Sequence, residues 1–88
     1  MDSKQLLKKA GFSEKEIDVY LALLAQGQAV ASDIAEQASI NRSTTYVILD
    51  ALAKRGLVET INRGGVAMFT AGPPENLVKY FERASDHF

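Results

Sequence analysis

Residues 41–71 read NRSTTYVILDALAKRGLVETINRGGVAMFTA, and a change of hydrophobic period inside this stretch decides the fold. As far as Arg55 the period is helical. Thr45, Ile48, Leu49 and Leu52 form one stripe, and Asn41 ahead of them carries a side chain suited to a helix N-cap. Gly56 supplies the stop, so a helix is predicted from Arg42 to about Arg55. Rotating by about 100° per residue puts Ser43, Val47, Asp50 and Lys54 on the opposite face, with Arg42, Thr44 and Tyr46 on its shoulders. Beyond Gly56 the pattern alternates. LVETINR and VAMFTA flank Gly64-Gly65, which is a hairpin signal, and of the neighbours Met68 and Phe69 one must face the core.

Working toward the N-terminus, a third helix is expected at about residues 31–38, opening with Ser32 and Asp33 and carrying Ile34, Ala35 and Ala38 inward. Ser39-Ile40-Asn41 breaks it. Before it, Ser13 and Glu16 have the spacing of a capping box, and Phe12 can staple onto Ile17. Ile17, Tyr20, Leu21 and Leu24 then make an apolar stripe that ends at Gly27, and a short first helix over 3–10 presents Leu6, Leu7 and Ala10 before Gly11. Toward the C-terminus, Pro73-Pro74 closes the second strand and opens a last helix. Its apolar positions are Leu77, Tyr80, Phe81, Ala84 and Phe88, a stripe expected to pack on its own domain, on a second copy or on a further region. The result is mainly α with a small β-hairpin. Four helices, a hairpin and a helix follow the order of a winged helix-turn-helix with a C-terminal amphipathic helix, in which the helix after the 38–41 turn enters the major groove of DNA. Residues 1–72 are assigned to the winged helix-turn-helix and 73–88 to a dimerisation helix.

Composition narrows the chemistry. At 88 residues, 47% apolar and 24% charged, the chain has the make-up of one small folded domain. It has no cysteine, and its single histidine, His87, is expected as an exposed tail residue. No disulfide framework, thiolate nucleophile or common zinc site fits these residues, and neither an enzyme nor a cofactor or metal site is expected. Glu14, Glu16, Asp18, Asp33 and Glu36 have helical spacing without histidine or cysteine beside them, which suits a solvated face. Gly64-Gly65 lies in neither phosphate-loop pattern. No apolar run approaches the roughly 20 residues that span a bilayer, and a cytoplasmic location is expected.

The net charge of −1 does not favour a polyanionic partner, but the charge is uneven. Residues 14–39 hold Glu14, Glu16, Asp18, Asp33 and Glu36 against Lys15, whereas residues 40–63 hold Arg42, Lys54, Arg55 and Arg63 against Asp50 and Glu59. The local field at a contact surface counts for more than the total.

Two stretches, GFSEKEIDVYLALLAQGQAVASDIAEQASINRSTTYVILDALAKRGLVE and FTAGPPENLVKYF, resemble the N-terminal DNA-binding domain of TrmB-type transcriptional regulators. That family shows patterns of the kind SE.E..VYLALL, A..IA, RS..Y..L..L...GLV and PPE. Arg42, Ser43 and Tyr46 fall on RS..Y, for which the resemblance implies DNA contact at the start of the recognition helix. Phe69 falls at the family's usual aromatic position, so the resemblance implies that Phe69 is the inward residue of its pair. The chain departs from the pattern in three respects. The wing is usually basic, yet here it keeps only Arg63; Val30 stands where a hydroxyl residue often enters the third helix, leaving a phosphate contact there to Ser32; and sugar sensing, which belongs to a following effector domain, is not implied for these residues.

The expected function is sequence-specific binding of double-stranded DNA by a homodimeric transcriptional regulator. Small polar Ser43 and Thr44 allow close approach to base edges, Val47 can meet a thymine methyl, and Arg42 can reach a phosphate or a guanine. Ser32, Tyr46 and Arg63 complete the set, although Tyr46 could instead pack between the helix and the wing, and residues 43–47 would also suit a solvated helix start. Leu77, Tyr80, Phe81, Ala84 and Phe88 are expected to supply the dimer contact. The alternative is a winged-helix protein-interaction module without DNA binding, since this wing is poor in charge.

Overall fold

The computed structural model describes residues 3–86, with side chains for all of these except 3, 74 and 84–86. His87 and Phe88 therefore lie outside the described residues, as does the side chain of Ala84. The elements run α1 (Ser3–Lys9), α2 (Glu14–Gln26), β1 (Gln28–Val30), α3 (Ala31–Ala38), α4 (Arg42–Lys54), β2 (Val58–Arg63), β3 (Val66–Ala71) and α5 (Pro74–Asp86). This is a winged helix-turn-helix, mostly helical with an antiparallel sheet.

α2 starts where its capping box requires. The Glu16 amide donates to Ser13 Oγ at 3.2 Å, and the Ser13 amide donates to Glu16 Oε1 at 2.9 Å. Two of the amides that a helix start leaves unpartnered are satisfied by side chains. Phe12 and Ile17 are both buried, as a staple demands. The stripe read from the sequence is corrected at one position. Leu24 is 49% exposed, while Val19 and Leu23 are completely buried. α2 touches α1 on one side and α3, α4 and the sheet on others, so its apolar surface wraps past a single stripe.

The sheet holds more than the hairpin. β2 and β3 pair from Val58↔Ala71 to Arg63↔Val66 across the Gly64-Gly65 turn, both of whose residues have positive φ (57° and 83°), as a two-residue hairpin requires. β1 pairs antiparallel on the other edge of β3, with Gln28↔Thr70, Ala29↔Phe69 and Val30↔Met68, giving the order β1-β3-β2. The Thr70 hydroxyl adds a bond to the Gly27 carbonyl at 3.1 Å. Phe69 is buried against Ala29 and the helices, whereas Met68 is half-buried, so the inward residue of the pair is Phe69.

α3 begins without a side-chain cap, because Val30 occupies the N-cap position. Its place is held by burial of Ala31, Ile34 and Ala35, and by Gln26 Nε2, which donates to the Asp33 carbonyl at 3.0 Å and to Gln37 Oε1 at 2.7 Å. The core runs through Ile17, Leu23, Ile34, Leu49, Leu52 and Leu57, each essentially without solvent contact. Burying one such side chain contributes about 1.5–3 kcal/mol. From α5, Leu77, Tyr80 and Phe81 pack half-buried against this core.

Candidate nucleic-acid interface

The turn between α3 and α4 sets the angle at which α4 is presented. Ser39 takes a left-handed conformation (φ 58°, ψ 42°), its amide donates to the Glu36 carbonyl at 3.2 Å, and the Ile40 amide donates to the Ala35 carbonyl at 3.0 Å. Asn41 then caps α4. Its Oδ1 accepts from the Thr44 amide at 2.7 Å, and its carbonyl accepts from the Thr45 amide at 3.0 Å and from the Thr45 hydroxyl at 2.9 Å. Thr45 is fully buried, so the hydroxyl bond leaves no polar atom stranded in the core. With Ile48, Leu49 and Leu52 it makes the inward face read from the sequence.

The outward face of α4 begins with Arg42 and Ser43, continues through Tyr46 and Val47, and ends at Asp50 and Lys54, all exposed; Thr44 is half-buried. Val47, at 69% exposure, is an apolar side chain standing free at the middle of a polar surface. Asp50 and Lys54 neutralise each other at 3.2 Å. Among the described residues no carboxylate pairs with Arg42; its guanidinium lies 5.8 Å from the centroid of the Tyr46 ring, one turn along the helix. Tyr46 in turn meets Phe69 of β3 edge to face, with 6.3 Å between centroids. Arg42 and Tyr46 are thus brought together, and Tyr46, still 42% exposed, packs toward the wing without being withdrawn from the surface.

The other positions are more scattered. Ser32 is exposed in the first turn of α3, beside Asp33. Arg63 is exposed at the end of β2, opposite Val66 at the tip of the hairpin, where Val66 is itself 51% exposed. On α5, Val78 is 55% exposed beside the half-buried Leu77, Tyr80 and Phe81. The sequence marked Arg55 only as the end of the helix and one of the basic residues of 40–63, and gave it no contact. Its partners come from the start of α2 and from α5, and nothing local to the KRG stretch announces them. The one clue was Glu16, whose capping role leaves a second carboxylate oxygen to be satisfied.

Among the described residues no group of three His, Cys, Asp or Glu side chains could hold a metal ion, and no helix is long and apolar enough to cross a membrane. Burial raises the Tyr20 phenol above the ordinary tyrosine value; the residue sits in α2, outside the surface just described.

This geometry has relatives. YrhO of Bacillus subtilis (strain 168), an uncharacterized protein, is 31% identical over 84 residues, which is 94% of this chain and 30% of YrhO. The sugar-sensing transcriptional regulator TrmBL1 of Pyrococcus furiosus is 33% identical over 58 residues, 66% of this chain and 17% of that protein. The chain thus spans less than a third of the length of either relative. The solved structure of TrmBL2, an archaeal chromatin protein, superposes with a TM-score of 0.71 at 24% identity, covering 86% of this chain and 30% of that one; at that identity the likeness speaks for the fold. The model of the family of sugar-specific transcriptional regulators named TrmB matches residues 7–75. With most of its length inside that match, the chain belongs to the TrmB family of transcriptional regulators.

Proposed function

We propose that this domain binds double-stranded DNA sequence-specifically, with α4 in the major groove and the β2–β3 hairpin lying along the backbone. The observation that carries the reading is the N-terminal half of α4. Its outward side holds small polar residues, an exposed Val47 and a guanidinium that no carboxylate among the described residues pairs with, on a helix whose start is locked by Asn41. Ser43 and Thr44 leave room for base edges, Val47 suits a thymine methyl, and Arg42 suits a guanine or a phosphate. Tyr46 contributes from beside the wing, Arg63 reaches a phosphate from the wing, and Ser32 another from the start of α3.

Two copies pair through α5, using Leu77, Tyr80, Phe81, Ala84 and Phe88, and so set their recognition helices on half-sites about one helical turn apart. The exposed Val78, beside Leu77, Tyr80 and Phe81 that the core buries only in part, supports this part of the reading. Glu at the exposed Val78, which leaves the core-facing side of α5 intact, should then give a monomer by sedimentation equilibrium, with circular dichroism confirming that the helices remain. A wild-type chain that stays monomeric at high micromolar concentration would remove the dimer from the reading.

One observation favours a second reading. The wing tip is nearly uncharged, with Val66 exposed beside Arg63, as a protein-binding hairpin would have it. Titrating the protein against selected and random duplexes at two salt concentrations separates the two. DNA binding predicts a preference of about 10³ or more for the selected duplex and affinities that fall with salt. Equal, weak binding to both duplexes favours the protein-interaction module.

A further inference from the structure

The C-terminal end of α4 is fastened to α5 by contacts that the DNA-binding reading does not use. Arg55 is the C-cap residue of α4, and its Nη1 lies 3.2 Å from Glu16 Oε2, with the Arg55 side chain 33% and the Glu16 side chain 15% exposed. Glu16 Oε1 is already held by the Ser13 amide, so one carboxylate serves the start of α2 with one oxygen and the end of α4 with the other. The guanidinium also lies 5.3 Å from the Phe12 ring centroid and 5.8 Å from that of Tyr80, and the two rings stand 4.9 Å apart at 48°. A planar guanidinium can pair with a carboxylate in its plane and meet rings with its faces, a combination that an ammonium lacks.

A second fastening lies just beyond. Asn76 Nδ2 donates to the Gly56 carbonyl at 2.7 Å, and the Gly72 amide donates to the Leu57 carbonyl at 2.8 Å. A Cβ at Gly72 would come within 2.6 Å of the Gly56 oxygen, so only glycine lets the chain leave β3 this close to the end of α4. Asn76 and Tyr80 are four residues apart on α5, one above the other on the same side and separated by about 6 Å of helix rise. A rod held at one point can swing; a rod held at two has a direction.

We propose that Arg55, together with Asn76, is a positioning residue that fixes the direction in which α5 leaves the domain relative to the recognition helix, and thereby the spacing of the two half-sites a dimer can bind. The first half stands on the contacts above; the second rests on the DNA-binding, α5-paired reading. Because Arg55 is the C-cap residue of α4 and Arg42 its first residue, the same helix carries the reading surface at one end and the α5 joint at the other.

The sequence has no cysteine, so spin labels can be placed at Asp50→Cys on α4 and Glu82→Cys on α5 of the full chain, both exposed positions. Labelled protein is diluted with unlabelled protein so that only distances within one chain are read. The parent should show one narrow distance distribution. Arg55→Met should broaden or shift it while amide exchange in α2 and α3 stays protected, Asn76→Ala should do so to a smaller extent, and Arg55→Lys should recover only part of the parent distribution. An unchanged distribution in Arg55→Met overturns the proposal. Should that variant lose protection throughout, Arg55→Lys decides, and a parental distribution there overturns it equally. With duplexes, Arg55→Met should lose about tenfold or more on a two-half-site DNA and keep parental affinity for a single half-site, because only simultaneous engagement has been spoiled. Equal losses on both duplexes overturn the spacing role. A parent that binds neither duplex sinks the DNA-binding reading, while the label distances still decide the joint.

Discussion

α4 has two faces of opposite character along the same thirteen residues. Thr45, Leu49 and Leu52 have no solvent contact, and even the one polar side chain among them spends its hydroxyl on the Asn41 carbonyl of the preceding turn. Across the helix, Arg42, Ser43, Tyr46 and Val47 are exposed, and among the described residues no carboxylate pairs with the guanidinium, which lies 5.8 Å from the Tyr46 ring centroid. The inner face gains by being satisfied and the outer face by being left unsatisfied. A side chain whose partners are all inside the molecule holds the fold; one whose partners are missing is available to something else. The two demands coexist because Asn41 fixes the helix start through the Thr44 amide and the inward Thr45 hydroxyl, without drawing on the outer face.

The comparison breaks most sharply at Leu49. Leu49→Ala should lower unfolding stability by about 2–5 kcal/mol, read by urea denaturation, through lost transfer energy and a residual cavity. Its DNA affinity should fall only as far as the folded fraction falls. A DNA loss in fully folded Leu49→Ala would mean that the inner face also shapes the outer one.

Arg42→Ala tests the opposite side. Stability should be unchanged, whereas affinity should drop by about 1–3 kcal/mol at one base position if the side chain reads a guanine. If it meets a phosphate, the slope of log K against log salt should instead diminish by about one. A folded variant with parental affinity and slope removes Arg42 from the surface. Next in size is Asn41→Ala, which belongs to neither face and should cost about 0.5–2 kcal/mol of stability by removing the cap. Smallest is Arg63→Ala in the wing, expected to weaken selected and random duplexes alike and to reduce the salt slope by about 0.9. A loss confined to the selected duplex would give the reading role to the wing.

How much of this was legible in the chain depended on whether the signal was local. Asn41, the Thr45-Ile48-Leu49-Leu52 stripe and Gly64-Gly65 could be read because caps, helical periods and two-residue turns each act within a few residues. β1 could not. It is three residues long, QAV, and its partners Met68 to Thr70 lie some forty residues on, so no alternation has room to show. α2 misled in a different way, since a single stripe was assigned to a helix packed on several sides; Leu23 is buried and its neighbour Leu24 is not. The outward face of α4 was legible as far as which of its residues share that face and stand exposed. The contact of Tyr46 with Phe69 was open, and the cluster of Arg55 with Glu16, Phe12 and Tyr80 was hidden, because three separate elements must fold before it exists.

The central place of β3 in the sheet has a consequence for how the domain is made. Every strand pairing in the described residues runs through Val66–Ala71, so a nascent chain that has emerged only as far as Arg63 holds β1 and β2 without a partner for either. Helices α1 to α4 can form and begin to associate from local contacts, but Ala29 and Val58 acquire their opposite numbers Phe69 and Ala71 only afterwards. Synthesis in the N-to-C direction therefore completes α4 before the sheet beside it can close, so the step that completes the wing also pairs the inner edges of β1 and β2, which until then are open.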